Sequence, residues 1–131
     1  MSMPDIEGGV LTTTAYSLTQ AVGGESKGEN KDSGKLLWQL LPFDALEQVV
    51  RVFSQAVESG KYAPRNWERG LEWERQLGSL LRHAARWQQG EDTDSESGLP
   101  HMAHVATRAL MLLAYEQRGV GVDDRPKGGV E

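Results

Sequence analysis

The segment that most constrains this chain runs from about Pro100 to Arg118 and stops at Gly119. Wound as a helix, its Met102, Val105, Ala106, Ala109, Leu110, Leu112 and Leu113 cover most of the circumference. A helix apolar nearly all round must be buried on several sides. Two amphipathic stripes precede it. Phe43, Leu46, Val50, Phe53 and Val57 recur at helical steps between Pro42 and Ser59, with Gly60 as a stop. Trp73, Leu77, Leu80, Ala84 and Trp87 do the same between Leu71 and Gln89, with Gly90 where a C-terminal cap belongs. No alternating, β-branched run competes, so the expected fold is all-α. Three helices can hardly surround one of their own number. A second copy of the chain is therefore expected around the third helix.

The 131 residues are one domain's worth of chain. Six of the 15 glycines fall within residues 1–34, and GGESKGENKDSG reads as a solvated linker. The expected organisation is a flexible segment over residues 1–33, a domain over residues 34–118 and a loose tail over residues 119–131. The absence of Cys excludes a thiolate nucleophile, an iron–sulfur cluster and Cys-ligated zinc, and it suits a reducing cytoplasm. No apolar run approaches the ~20 residues of a membrane span, and MSMPDIEGG does not begin a secretory signal. A net charge of −5 argues against nonspecific nucleic-acid binding.

The loop GEDTDSESGLPH puts Glu91, Asp92, Asp94 and Glu96 within six residues. In water such carboxylates repel by roughly 1 kcal/mol per close pair. The loop is either a solvated acidic turn or a seat for a divalent cation, and oxygen-only ligands favour Mg2+, Mn2+ or Ca2+ over zinc. An EF-hand fails on spacing: counted from Asp92, Gly98 falls at position seven and Ala103 at position twelve.

His101, His104 and Arg108 form a polar stripe on the third helix, at i, i+3 and i+7. HMAH has neither the spacing nor the glutamate of an HExxH zinc site, and no His-Asp pair occurs. Gln76, Ser79, His83 and Arg86 make a matching stripe on the second helix. His83 is thus placed to face His101 and His104 across a groove with the acidic loop at its mouth. The plainer alternative for His83 is a boundary residue. In KYAPRNW, Lys61 and Arg65 are placed to meet phosphate oxygens, and Asn66 can cap the next turn. Tyr62 and Trp67 either stack on a base or plug the corner between helices. Lys35 and Trp38, in GKLLWQLLP, carry the same two readings.

Together, GKLLWQLLPFDALEQVVRV, KYAPRNWERGL and LLRHAARWQQGEDTDSESGLPHMAHVATRALMLL resemble the phage-type dATP/dGTP diphosphohydrolase domain, a branch of the MazG-like all-α NTP pyrophosphohydrolases. The resemblance spans roughly residues 34–118 and is most specific from Leu80 to Leu113. It implies a MazG-like helical bundle completed by oligomerisation into a dimer or tetramer. It also implies Mg2+- or Mn2+-dependent cleavage of a purine nucleoside triphosphate to the monophosphate and pyrophosphate. The preferred substrate would be dGTP or GTP, with dATP next, and a phage-encoded enzyme would work in the host cytoplasm. The wider family holds its metals with an ExxE helix followed by an ExxD helix. Here His101 and His104 take the ExxD place, and His83 falls near the end of the ExxE helix.

The resulting metal candidates are Glu91, Asp94, His101 and His104, with His83 in support. Glu47 is a further one, against its plainer reading as a solvated helix charge. Glu91 and His104 are the candidate catalytic proton acceptors. Lys35, Lys61, Tyr62, Arg65, Asn66 and Trp67 are the candidate substrate contacts. Two alternatives stand beside this enzyme: a non-catalytic helical module that binds a cation or a partner, and a triphosphohydrolase.

Overall fold

The computed structural model describes residues 34–127. The chain divides into two compact units, Met1–Leu36 and Leu37–Glu131, and the second is the subject below. The flexible segment expected over residues 1–33 lies outside the described residues.

The second unit holds three α-helices: α1 (Phe43–Glu58), α2 (Trp73–Gln88) and α3 (His101–Arg118). Short 3-10 turns at Trp38–Leu40 and Asn66–Arg69 precede α1 and α2. Among the described residues, extended pairing is confined to two isolated bridges, Glu72 with Val122 and Thr93 with Pro100. The fold is all-α, as expected.

The most apolar helix is the hub: α3 packs on α1, on α2 and on the Asn66–Arg69 turn. Its Ala103, Thr107, Met111 and Tyr115 recur every four residues and are buried. The Thr107 hydroxyl donates to the Ala103 carbonyl at 2.8 Å, so its burial leaves no unmet donor. The Tyr115 hydroxyl donates to the Trp67 carbonyl at 2.6 Å. The Trp67 ring lies between Phe53 and Tyr115, with centroids 5.5 and 6.1 Å away. Trp67 sits in the corner between the helices.

The interior differs from the expected stripes. Among the described residues Val49, Ala103, Met111 and Tyr115 are the buried apolar side chains, and they are matched by buried Gln76, Ser79, His101 and Thr107. In α1 Val49 is buried while Phe43 and Val50 are 58% and 53% exposed. In α2 Gln76 and Ser79 of the polar stripe turn inward, while Arg86 and Trp87 stay exposed. The cause is the content of the α2–α3 seam. It is filled by imidazoles and by an Arg108–Gln76 pair, so several apolar side chains, Leu81 and Leu110 among them, are left outside.

Past Gly119, in the left-handed conformation at φ +65, residues 120–125 turn back along the start of α2. The Trp73 and Val122 backbones exchange with this stretch: Trp73 N–H donates to the Val122 carbonyl at 3.0 Å, and Val122 N–H to the Leu71 carbonyl at 3.2 Å. The Glu74 N–H donates to the Asp124 carboxylate at 2.9 Å, and the Trp73 indole donates to the Val120 carbonyl at 3.0 Å. A Cβ on Gly121 would meet the Leu71 carbonyl oxygen at 2.6 Å, so only glycine, here at φ +88, permits this approach.

Candidate metal centre

The loop after α2 is tightly hydrogen-bonded. Gly90, at φ +99, ends the helix, and the Asp94 N–H donates to the Leu99 carbonyl at 2.9 Å. The Asp92 carbonyl accepts the first N–H of α3, from His101, at 2.9 Å. The Ser97 N–H donates to the Asp94 carboxylate at 2.8 Å, while Gln55 on α1 donates to the Ser97 carbonyl at 2.9 Å. This folding sorts the four carboxylates. Glu91 and Asp94 turn toward α3 with side chains 39% and 19% exposed, whereas Asp92 and Glu96 stay in solvent.

His83 and His101 meet across the α2–α3 seam with their Nδ1 atoms 2.9 Å apart, so one nitrogen carries the proton and the other accepts it. The His104 ring stacks on His83 at 4.3 Å and 7°. Ser97 Oγ lies 2.7 Å from His104 Nε2, and Asp94 lies 3.9 Å from the same nitrogen. His101 is 2% exposed, and its Nε2 is buried without a hydrogen-bond partner, 3.5 Å from Glu91. Ligand atoms of His83, Asp94 and His101 all lie within 4.8 Å of one another. This is the spacing of donors around one ion. An orphaned buried imidazole nitrogen beside a carboxylate suits a cation, so the residues fit a metal.

The stacked pair cannot both be cationic. Burial, and then the neighbouring His104, pull His83 down to about 4. Burial also lowers His104, although Asp94 opposes it. Burial raises the Asp94 carboxyl, but hydrogen bonds from Ser97 and the two imidazoles outweigh this and hold it below its ordinary value.

The sign for stability follows from His83. The unfolded chain takes up a proton near the ordinary 6.5, the folded chain only near 4. The metal-free fold should therefore be most stable above about pH 6.5 and lose stability as pH falls toward 4. Asp94 works in the same sense at lower pH. Thermal melts in EDTA across this window test it, and a flat melting temperature would show that these imidazoles are not held neutral.

The other expected site residues lie elsewhere. Glu47 is exposed on α1 and pairs with Arg51 at 2.9 Å. Lys61 is exposed, with its ammonium 5.7 Å from the Tyr62 ring centre. Tyr62 is half-exposed and acts electrostatically on Arg108. Arg65 pairs with Glu68 and takes the left-handed conformation at φ 63. Asn66 begins the 3-10 turn, and the residue at its cap, Arg65, makes no side-chain cap bond, so the expected capping by Asn66 is not made. Lys35 is exposed and belongs to the unit ending at Leu36. Ser97 was missed. The signal for it was its place three residues after Asp94, where a side-chain carboxylate closes a local turn on a backbone N–H.

Residues 25–125 match a family described as dATP/dGTP diphosphohydrolase, N-terminal. Over 94 residues the chain is 34% identical to a dATP/dGTP diphosphohydrolase of Salmonella phage PMBT28, a match covering 72% of this chain and 31% of that protein. The chain thus spans about a third of the length of this curated relative. No solved structure is significantly similar to it.

Proposed function

Since the chain belongs to the dATP/dGTP diphosphohydrolase N-terminal family, we propose that it is a metal-dependent purine nucleoside triphosphate pyrophosphohydrolase. Its substrate is dGTP or GTP, with dATP as the next choice, and its products are the monophosphate and pyrophosphate. The observation that carries this reading is the His83–Asp94–His101 cluster with its orphaned imidazole nitrogen.

His83, Asp94 and His101 would hold the ion, with Glu91 and His104 at its edge. Imidazole donors revise the expectation based on oxygen ligands alone. They favour Mn2+ over Mg2+, which prefers oxygen and water. When bound, a divalent cation there would neutralise phosphate oxygens and lower the pKa of an attacking water. Water adds to the α-phosphorus, the bond from that phosphorus to the α–β bridging oxygen breaks, and pyrophosphate departs with that oxygen. His104, kept neutral near pH 7 and oriented by Ser97, is placed to accept the water's proton, as is the Glu91 carboxylate.

The reading includes a MazG-like bundle completed by a second copy, as a dimer or tetramer, and action in the host cytoplasm. Among the described residues no helix is long and apolar enough to cross a membrane. The test is direct. The chain is incubated with each dNTP and GTP plus Mn2+ or Mg2+, and the products are separated by chromatography. Monophosphate with pyrophosphate is expected from the purine nucleotides. Nucleoside with tripolyphosphate would mean a triphosphohydrolase, and no turnover would leave a cation-binding module.

A further inference from the structure

Arg108 lies one helical turn beyond His104 on the same stripe of α3, about 6 Å further along the axis. Its side chain is half-buried in the α2–α3 seam, and its guanidinium donates to the side-chain oxygen of Gln76, itself 4% exposed. The groups acting on this cation are two phenols, Tyr62 and Tyr115, and a like charge, Arg82 of α2. Arg51, Arg65, Arg75, Arg86, Arg118 and Arg125 each pair with a carboxylate. Among the described residues none pairs with Arg108 or Arg82. The Arg108 guanidinium is thus partly desolvated in the seam without a counter-charge, an arrangement that an anion relieves. Gln76 supports this: a neutral amide fixes the guanidinium plane without neutralising it. The seam is continuous with the metal cluster, since the Gln76–Arg108 bond and the His83–His101 contact both bridge α2 and α3.

We propose that Arg108, oriented by Gln76, is the seat for the substrate's polyphosphate chain. The planar fork of a guanidinium matches phosphate oxygens, which a lysine ammonium would meet only as a point charge. The assignment rests on the nucleoside triphosphate reading, but the seat itself needs no metal and no turnover.

Inorganic tripolyphosphate titrated calorimetrically into the full chain in EDTA tests it. Arg108→Gln should weaken binding about tenfold or more, and Arg82→Gln less. Gln76→Glu keeps Arg108 but gives it an internal counter-charge, so it should weaken binding in the same way. Arg108→Lys should restore part of the affinity. Failure of the wild-type chain to bind tripolyphosphate, or unchanged affinity in both Arg108→Gln and Gln76→Glu, overturns the proposal even if nucleotides are hydrolysed. Arg108-dependent tripolyphosphate binding in a chain that turns over no nucleotide upholds the anion seat and refutes the hydrolase.

Discussion

Asp94→Asn is expected to cost this chain about 100-fold or more in Mn2+ affinity, with turnover falling alongside. Changes to groups one step removed from a metal already cost 10- to 100-fold, and Asp94 is a direct candidate ligand. The substitution removes one charge at nearly constant shape, and the remaining side-chain oxygen can still accept the Ser97 N–H. His101→Gln should act as strongly, because it removes the buried nitrogen that has no hydrogen-bond partner in the seam. Two measurements separate ligand loss from unfolding. Circular dichroism should show unchanged helix content. Mn2+ at a hundred times its Kd should stabilise the wild-type chain by about 2.7 kcal/mol, and neither variant. Asp92→Asn, in the same loop but exposed, is the control and should behave as wild type. If Asp94→Asn and His101→Gln both retain the Mn2+-dependent rise in melting temperature, the ion is not bound at this cluster.

Leu110→Glu with Leu113→Glu is expected to dissociate the protein into single chains. Among the described residues, Leu81, Trp87, Met102, Leu110 and Leu113 are each 40% or more exposed, on two adjoining helices. Exposed apolar side chains in that number suit an interface better than a surface in water. Burying a leucine is worth about 1.5–3 kcal/mol, and in a two-fold interface each substitution counts on both copies. The double variant should therefore raise the dissociation constant by several powers of ten. Sedimentation velocity at micromolar concentration reads the result directly. A wild-type chain that sediments as a monomer would remove the second copy from the account.

Much of this was legible in residues taken singly. The helices end within a residue or two of their glycine and proline signals, because caps and breakers act locally. The facing of His83 with His101 and His104 follows from two polar stripes at helical spacing. The side of each helix that would be buried was not legible from hydrophobicity alone. Val49 is inside and Val50 outside because of the phase at which α1 leans on α3. Nor could spacing tell that Glu91 and Asp94 turn inward and Asp92 outward. That choice is made by a turn in which Ser97, Leu99 and Gly98 fix the backbone. The docking of residues 120–125 depends on contacts some 50 residues apart in sequence, which no local pattern carries.

The hydrogen bonds at the start of α2 impose an order on synthesis. Glu72, at the cap position, makes no side-chain bond to the helix, and the free amides of Trp73 and Glu74 find their acceptors at Val122 and Asp124. A nascent chain can thus carry all three helices in full and still leave α2 frayed where it begins. Gln76 and His83 come from that helix. Translation must pass residue 124 before the helix is closed at its origin, so the first turn of α2 closes only after α3 has been made.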